Sequence, residues 1–270
     1  MPSPLVPTFY PGTLDVPAAF NAGIRDPFTA LLDPPVFRAR RTSAWNVTEN
    51  LHQNVPWDSL EEDTHGGWAA GAVVGGGASS TLSVATVAGD TSITVASGAS
   101  FSSGDYVRIN SGANAEYRRI GAPAGNVLTF SATGGGVGLT RVHAIGTSVT
   151  EIDGDPTRYT IPTGWTGWWA VDAVVSLSAA TAGAAGLVLI PGVSINNDSP
   201  SGFGNAWEGC EPFIPTGSTD PKHSNGFWRL WAEAGQRLQL DLWYSTESSI
   251  TAVDVTAGRE CRIGLVWDGV

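Results

Sequence analysis

The chain has 270 residues, and 14 Lys and Arg against 25 Asp and Glu give it a formal net charge of −11. This charge repels a phosphate backbone, so no nucleic-acid partner is expected, and no apolar run approaches the ~18 residues of a membrane span. With Gly 34, Pro 17 and 14% charged residues, the composition is typical of an all-β protein rich in turns, in one large domain or two smaller ones.

Residues 1–35 predict a short helical arm that begins without the charged and apolar regions of a signal peptide. We therefore expect synthesis in a cytoplasm and release by lysis. Asp15 can cap the helix and Pro17 fits its first turn, whereas Pro27 breaks or kinks it. A stripe at helical spacing carries Phe20, Ile24, Phe28 and Leu31 or Leu32. Because a stripe without its own core must dock on the same domain or a neighbouring subunit, and the second is favoured, we interpret this segment as an anchoring arm.

From Val36 the pattern is that of β-structure, with alternating side chains over 36–47, a strand at 55–57, an acidic turn and Trp68. Residues 71–80, GAVVGGGASS, then predict a flexible hinge, and 132–138 a second Gly-rich loop. Short strands separated by regular turns are predicted at 82–87, 92–95, 106–109, 116–120, 127–130 and 141–145. This run indicates a small β-barrel domain at 76–152.

Two nearly continuous apolar strands follow, at 168–177 and 185–193, so both faces of their sheet must be covered. An irregular segment occupies 194–227. Strict alternation returns at 237–244 and closes the chain at 261–267, where Ile263, Leu265 and Trp267 lie on one face and Val266 on the other.

Four segments together resemble the C1q/TNF-like jelly roll found in bacteriophage virion proteins. They are SLEEDTHGGW at 59–68, RYTIPTGWTGWWAVDAVVSL at 158–177, AGQRLQLDLWY at 234–244 and CRIGLVWDGV at 261–270. The resemblance implies a jelly-roll sandwich formed by 36–75 and 153–270, interrupted at a surface turn by the inserted barrel. Such an insertion is tolerated because the two ends of a turn lie close together.

The resemblance also implies a homotrimer on a phage particle, as a minor tail, fibre or capsid-decoration protein. The N-terminal segment is similar to the start of actinobacterial phage minor tail proteins, and the insert to small β modules of phage tails. A last strand that is apolar on both faces agrees with a trimer, since a monomer would expose it. We therefore expect Ile263, Leu265, Val266 and Trp267 at the trimer interface; the alternative is that loops of the same chain, such as 194–227, cover this strand.

No catalytic motif emerges from the sequence. His52, His65, His143 and His223 lack metal-ligand spacing, and GxSxG and P-loop motifs are absent. The acidic residues at 61–63, 151–155 and 196–199 could supply a glycosidase pair or a Ca²⁺ site, but solvated turn acids are the favoured interpretation. Cys210 and Cys261 are interpreted as buried thiols rather than a disulfide. We expect no enzyme activity, cofactor or metal.

The 11 Trp residues are the better functional lead. Most should fill a core or an interface, but an exposed indole can also stack on a sugar ring. Trp207, in a loop, and Trp243, on the polar side of its strand, are the candidate glycan contacts. The alternative functions are therefore a carbohydrate-binding protein that recognises the host envelope and, less favoured, a polysaccharide depolymerase.

Overall fold

The computed structural model describes residues 33–48, 51, 53–131, 138–177, 187–195, 206–208, 213–214, 222–246, 253–255 and 261–269. For its strand residues at 176–225 and 243–255 it describes the backbone alone. Within these ranges the chain forms β-strands and a single 3₁₀ turn at Gly112–Asn114, with no α-helix. The all-β prediction is therefore confirmed. The predicted helical arm with Phe20, Ile24, Phe28 and Leu31 lies outside the described residues.

The strands are numbered in chain order. They are β1 (Val36–Arg40), β2 (Trp45–Val47), β3 (Gln53–Asn54), β4 (Ser59–Asp63), β5 (Ser79–Thr81), β6 (Ser92–Thr94), β7 (Tyr106–Ile109), β8 (Glu116–Arg119), β9 (Val127–Thr129), β10 (Ser148–Ile152), β11 (Arg158–Thr160), β12 (Gly167–Leu177), β13 (Leu187–Ile195), β14 (Ala206–Glu208), β15 (Phe213–Ile214), β16 (Lys222–Ala232), β17 (Arg237–Thr246), β18 (Val253–Val255) and β19 (Arg262–Gly269).

Two sheets share one core. The first has the order β16-β12-β19-β1-β4, and the second has the order β11-β17-β13-β14, with β15 also on β13 and β3 also on β17. Every pairing is antiparallel. The inward residues of both sheets, among them Phe37, Trp169 and Leu265 of the first and Tyr159 and Leu240 of the second, form one buried cluster. We call these two sheets the sandwich.

The sandwich joins distant parts of the chain. Strand β1 pairs with β19 in the register Val36↔Val266 and with β4 on its other side. The strands before Trp68 and after Asp155 therefore lie in the same sheet, although some ninety residues separate those two positions.

The intervening residues form a second core. The sheet β5-β10-β7-β8 and the pair β6-β9 enclose a buried cluster of aliphatic residues with Phe101 and Phe130. We call this part the insert. Its strands are shorter than the sequence predicts: the predicted strands at 82–87 and 141–145 are reduced to isolated bridges at Leu82, Thr86 and His143. The reason is the density of turns, which end each strand before a longer ladder can form.

The predicted hinge is bonded along its length. The Val74 amide donates to the Glu151 carbonyl at 3.2 Å, the Ala78 amide donates to Glu151 Oε2 at 2.7 Å, and the Ala72 amide donates to Asp153 Oδ1 at 2.9 Å. The expectation of a free Gly-rich hinge at 71–80 is therefore wrong for this segment, because the returning residues 151–153 supply partners for its amides. The Gly-rich loop at 132–137 lies outside the described residues.

Candidate functional site

The last strand lies in the middle of its sheet, hydrogen-bonded to β12 and β1. Ile263 and Leu265 face the sandwich core and are buried. Trp267 is half-buried on that side, with its ring edge-to-face against Trp165 at 5.1 Å between centroids. Val266 lies on the opposite face. Two of the four residues predicted for a subunit interface, Ile263 and Leu265, are thus buried by their own chain. Trp267 is half-buried, and Val266 lies on the outer face.

The outer face of the first sheet carries an aromatic patch that the sequence analysis missed. Phe227 is 72% exposed, Trp231 41% and Trp168 37%. Trp168 and Trp231 lie opposite each other on β12 and β16, and their rings meet edge-to-face at 5.8 Å. The alternation in GFWRLWA could have revealed this patch, because Trp228 and Leu230 point inward and leave Phe227, Arg229 and Trp231 pointing outward.

One ion pair lies within this aromatic patch. Arg229 Nε is 2.6 Å from Asp268 Oδ2, and the guanidinium lies over the Trp168 ring at 5.1 Å from its centroid. Val266 of β19 lies opposite Ala170 of β12, so the apolar surface continues toward the middle of the sheet. We define Trp168, Val266, Phe227, Arg229 and Trp231 as the aromatic face.

The other end of the same outer surface is charged. Arg38 on β1 pairs with Glu62 on β4 at 3.2 Å, and Arg40 pairs with Glu61. Two carboxylates considered as a glycosidase pair thus have arginine partners across the strand. Such exposed pairs each contribute about 0–1 kcal/mol to stability, so this half of the surface is solvated rather than adhesive.

Asp63, the last residue of β4, organises the loop that follows. Its Oδ1 accepts from the Gly66 amide at 2.8 Å and the Gly67 amide at 3.2 Å, and its Oδ2 accepts from the Trp68 amide at 3.0 Å. There is no room for a side chain at Gly67, where a Cβ would lie 2.4 Å from the Thr160 carbonyl oxygen. The motif DTHGGW is therefore a carboxylate-capped turn that packs its glycine against β11.

The insert is attached to the sandwich by a polar seam. Asn46 Nδ2 donates to Asn114 Oδ1 at 2.6 Å, and Arg141 Nη2 donates to Gln53 Oε1 at 3.4 Å. The Arg141 guanidinium also lies over the Trp45 ring, 5.4 Å from its centroid. The seam uses side chains from β2 and β3 on one side and from the insert on the other, so the insert is held against the sandwich at more than its two chain crossings.

A buried ionisable cluster lies in the insert next to this seam. Glu116 Oε1 accepts from Arg118 Nη2 at 2.9 Å and from the Thr140 amide and hydroxyl, both at 2.8 Å. Glu116 Oε2 lies 2.7 Å from His143 Nε2. Burial alone would raise the pKa of Glu116, but the Arg118 charge and the hydrogen bonds from His143 and Thr140 outweigh it and lower the pKa to about 2.

This cluster resembles a catalytic arrangement only in composition. The His143 side chain is completely buried, so no substrate can reach it. Its carboxylate partner also accepts hydrogen bonds from Thr140, which places the acid, and not the histidine, beside the hydroxyl; a nucleophile triad needs the reverse order. The cluster holds the end of β8 against residues 139–143.

Asp155, a further acidic residue considered for a site, is bonded within its own turn. Asp155 Oδ1 accepts from the Thr157 amide and hydroxyl, and its Oδ2 lies 2.9 Å from Arg158 Nε. Among the described residues, no three His, Cys, Asp or Glu side chains converge as metal ligands would. No helix within those residues is long and apolar enough to cross a membrane.

The two predicted glycan contacts both lie on the second sheet. The backbone of Trp207 on β14 pairs with Val193, and that of Trp243 on β17 pairs with Ile190. Both side chains lie outside the described part of the structure, so their role as glycan contacts stays a prediction. No family model matches the chain, and no curated protein matches it either.

Proposed function

We propose that residues 36–75 and 153–270 form a C1q/TNF-like jelly roll into which a small β-barrel, residues 76–152, is inserted. The strand order carries this proposal. In the first sheet, β19 from the end of the domain lies between β1 from its start and β12 from its middle. The second sheet alternates in the same way, with β17 between β11 and β13. Such interleaving of early, middle and late strands in two facing antiparallel sheets is the layout of a double Greek key.

The protein is, in this proposal, a bacteriophage virion component of the minor tail, fibre or capsid-decoration kind that assembles as a homotrimer. The aromatic face supports assembly, because exposed large apolar side chains grouped on one sheet face often mark a protein–protein contact. Strand β19 crosses the middle of that sheet, so copies around a threefold axis would bury Val266 together with Phe227 and Trp231. The arm at 1–35 would anchor the trimer on the particle, and the insert would add surface for host attachment.

Light scattering on the purified chain tests the trimer. The wild-type chain is expected to have three times the monomer mass. The double variant Phe227→Glu/Trp231→Glu should have the mass of a monomer, because burying two charges per copy in an interface is costly. Val142→Glu is the matched control, since Val142 is 70% exposed on the insert. A monomeric wild-type chain, or a double variant that remains trimeric, would contradict the proposal.

A truncated variant separates assembly from anchoring. Removal of residues 1–35 should leave the trimer intact, because the aromatic face is untouched. A truncated chain that becomes monomeric would assign trimerisation to the arm instead.

An antibody against the insert should label the surface of particles of the phage that encodes the chain.

A further inference from the structure

A cleft of about 270 Å³ lies where the chain leaves the sandwich and returns to it. One wall is formed by Trp68 and by Thr160 of β11, and the other by Tyr106 of the insert. The backbone at Gly66–Gly67 and at Asp153–Gly154 lines it as well, and Arg158 and Arg237 complete it. Tyr106 comes from the insert and the other lining residues from the sandwich part of the chain, so the cleft lies at a domain junction, where ligand sites are common.

The cleft is preformed by close packing of the two crossing segments. The Asp153 amide donates to the Ala72 carbonyl at 2.9 Å, and the Ala72 amide donates back to Asp153 Oδ1 at 2.9 Å. A Cβ on Gly154 would lie 2.4 Å from the Ala69 Cβ, so the segments touch there without a side chain between them. This double hydrogen bond and the missing side chain hold the two walls at a defined separation.

Both aromatic side chains of the walls are held in place. The Trp68 indole Nε1 donates to the Pro156 carbonyl at 3.0 Å, and its ring lies 6.1 Å from that of Phe37. The Tyr106 ring lies under the Arg119 guanidinium, 5.7 Å from it. Both residues remain half-buried. Rigid aromatic surfaces bind at low entropic cost, because few rotamers are lost on contact.

The polar groups of the cleft are balanced in charge. Arg237 contributes a guanidinium and Asp153 an exposed carboxylate, whereas Arg158 and Asp155 are buried and paired with each other at 2.9 Å. The formal charges of these four side chains cancel, so the cleft favours neither an anion nor a cation. A ligand with several hydroxyl groups can satisfy donors and acceptors at once, because each hydroxyl is both.

We propose that this junction cleft binds a neutral sugar unit. The apolar face of a pyranose ring would pack on Tyr106 or Trp68, while its hydroxyls would bond to the side chains of Arg237 and Asp153. The volume is slightly below the range of about 300–1,000 Å³ that is usual for small-molecule sites, which limits the occupant to one sugar at the end or branch of a glycan. The site is distinct from Trp207 and Trp243 and does not depend on trimer formation.

Saturation-transfer NMR on the full-length chain tests the proposal, with free glucose, galactose, mannose, rhamnose and N-acetylglucosamine as probes, and glucuronate and inorganic phosphate as anionic comparisons. Tyr106→Ala removes one wall, and Thr160→Trp fills the cleft from an exposed position of β11. Val142→Ala is the control, since Val142 is exposed on the insert and does not line the cleft. Circular dichroism checks that each variant folds.

At least one neutral sugar should receive saturation from the wild-type chain and from Val142→Ala, with affinity reduced at least tenfold in whichever of Tyr106→Ala and Thr160→Trp folds. No signal from any neutral sugar would overturn the proposal. It would also be overturned by binding that survives both cleft variants, or by glucuronate or phosphate binding more tightly than the neutral sugars. A monomeric chain that still binds sugar would refute the trimer while leaving this site intact.

Discussion

The sandwich and the insert are both built from antiparallel strands, yet they fill their cores with different side chains. All 11 Trp residues lie outside residues 71–152, and Trp57 and Trp169 are among the largest fully buried side chains of the sandwich. The insert buries mainly Leu, Ile and Val, with two phenylalanines. The difference follows strand length. The sandwich has strands of up to 11 residues, whereas those of the insert have 3 to 5.

Long strands form wide sheet faces that leave space for indole rings, and each ring removes a large apolar area from water. Short strands end in turns before such a face develops, so the space inside them matches aliphatic side chains. Buried polar groups occur in both regions, with Glu116 and its partners in the insert and the Asp155–Arg158 pair in the sandwich. The two regions therefore differ in the apolar side chains of their cores.

The largest expected effect comes from emptying each core separately. Trp169→Ala should cost about 3–5 kcal/mol of unfolding free energy, and Leu128→Ala about 2–5 kcal/mol, from lost burial and the cavity left behind. In differential scanning calorimetry, each variant should lower the transition of its own core. A single transition that either variant lowers would show that the two cores unfold as one unit.

Acid should affect the insert before the sandwich. The folded pKa of Glu116 is about 2, below its ordinary value of 4.5, so the stabilisation is fully present above about pH 4.5 and is lost as the pH falls toward 2. The difference corresponds to about 3 kcal/mol. Glu116→Gln should remove this pH dependence and destabilise the insert at neutral pH, because Arg118 loses its buried partner.

Denaturation followed by tyrosine and tryptophan fluorescence at pH 7, 4 and 2.5 would measure this effect; Tyr117 lies in the insert and no Trp does. If the tryptophan signal of the sandwich is the first to change on acidification, the assignment of acid sensitivity to Glu116 fails.

A smaller effect is expected at the capped turn. Gly67→Ala inserts a methyl group where the Thr160 carbonyl oxygen and the Tyr159 ring leave no space, and should cost about 1–3 kcal/mol. Gly75→Ala is the matched control, because nothing lies within 4 Å of its Cβ position. Urea titration should place the midpoint of Gly67→Ala well below that of Gly75→Ala. Similar midpoints would mean that this turn accommodates the added methyl group without loss of stability.

The smallest effect is expected at the seam. Asn114→Ala removes an exposed hydrogen bond to Asn46. The free energy that holds the insert against the sandwich should fall by about 0.5–1.5 kcal/mol. Amide hydrogen exchange should rise at residues 45–47 and 112–115 and stay unchanged at 148–152. Unchanged amide exchange on both sides of the seam would show that this hydrogen bond does not stabilise the attachment of the insert.

The sequence predicted the strands that alternate clearly. The registers of β1 and β19 follow the inward sets that contain Phe37 and Leu265, because a strand with one buried side has only one way to face the core. Strand β17 differs, since Gln239 and Asp241 are buried as well as Leu240.

The sequence could not predict that Glu116 meets His143, since that contact joins segments 27 residues apart. The cap by Asp63 is local, because it reaches amides only three to five residues along the chain. The sequence analysis also misassigned the Gly-rich residues 71–80, whose hydrogen-bond partners lie 73 and 81 residues further along the chain.

By itself, the amino-acid order determined the all-β class, because periodicity, turn residues and the scarcity of charge act locally. The tertiary structure alone decided which side of the last strand stays open, where the aromatic face lies and how the insert creates a cleft. Those features arise when strands far apart in sequence become neighbours, and local patterns carry no information on which strand will cover which.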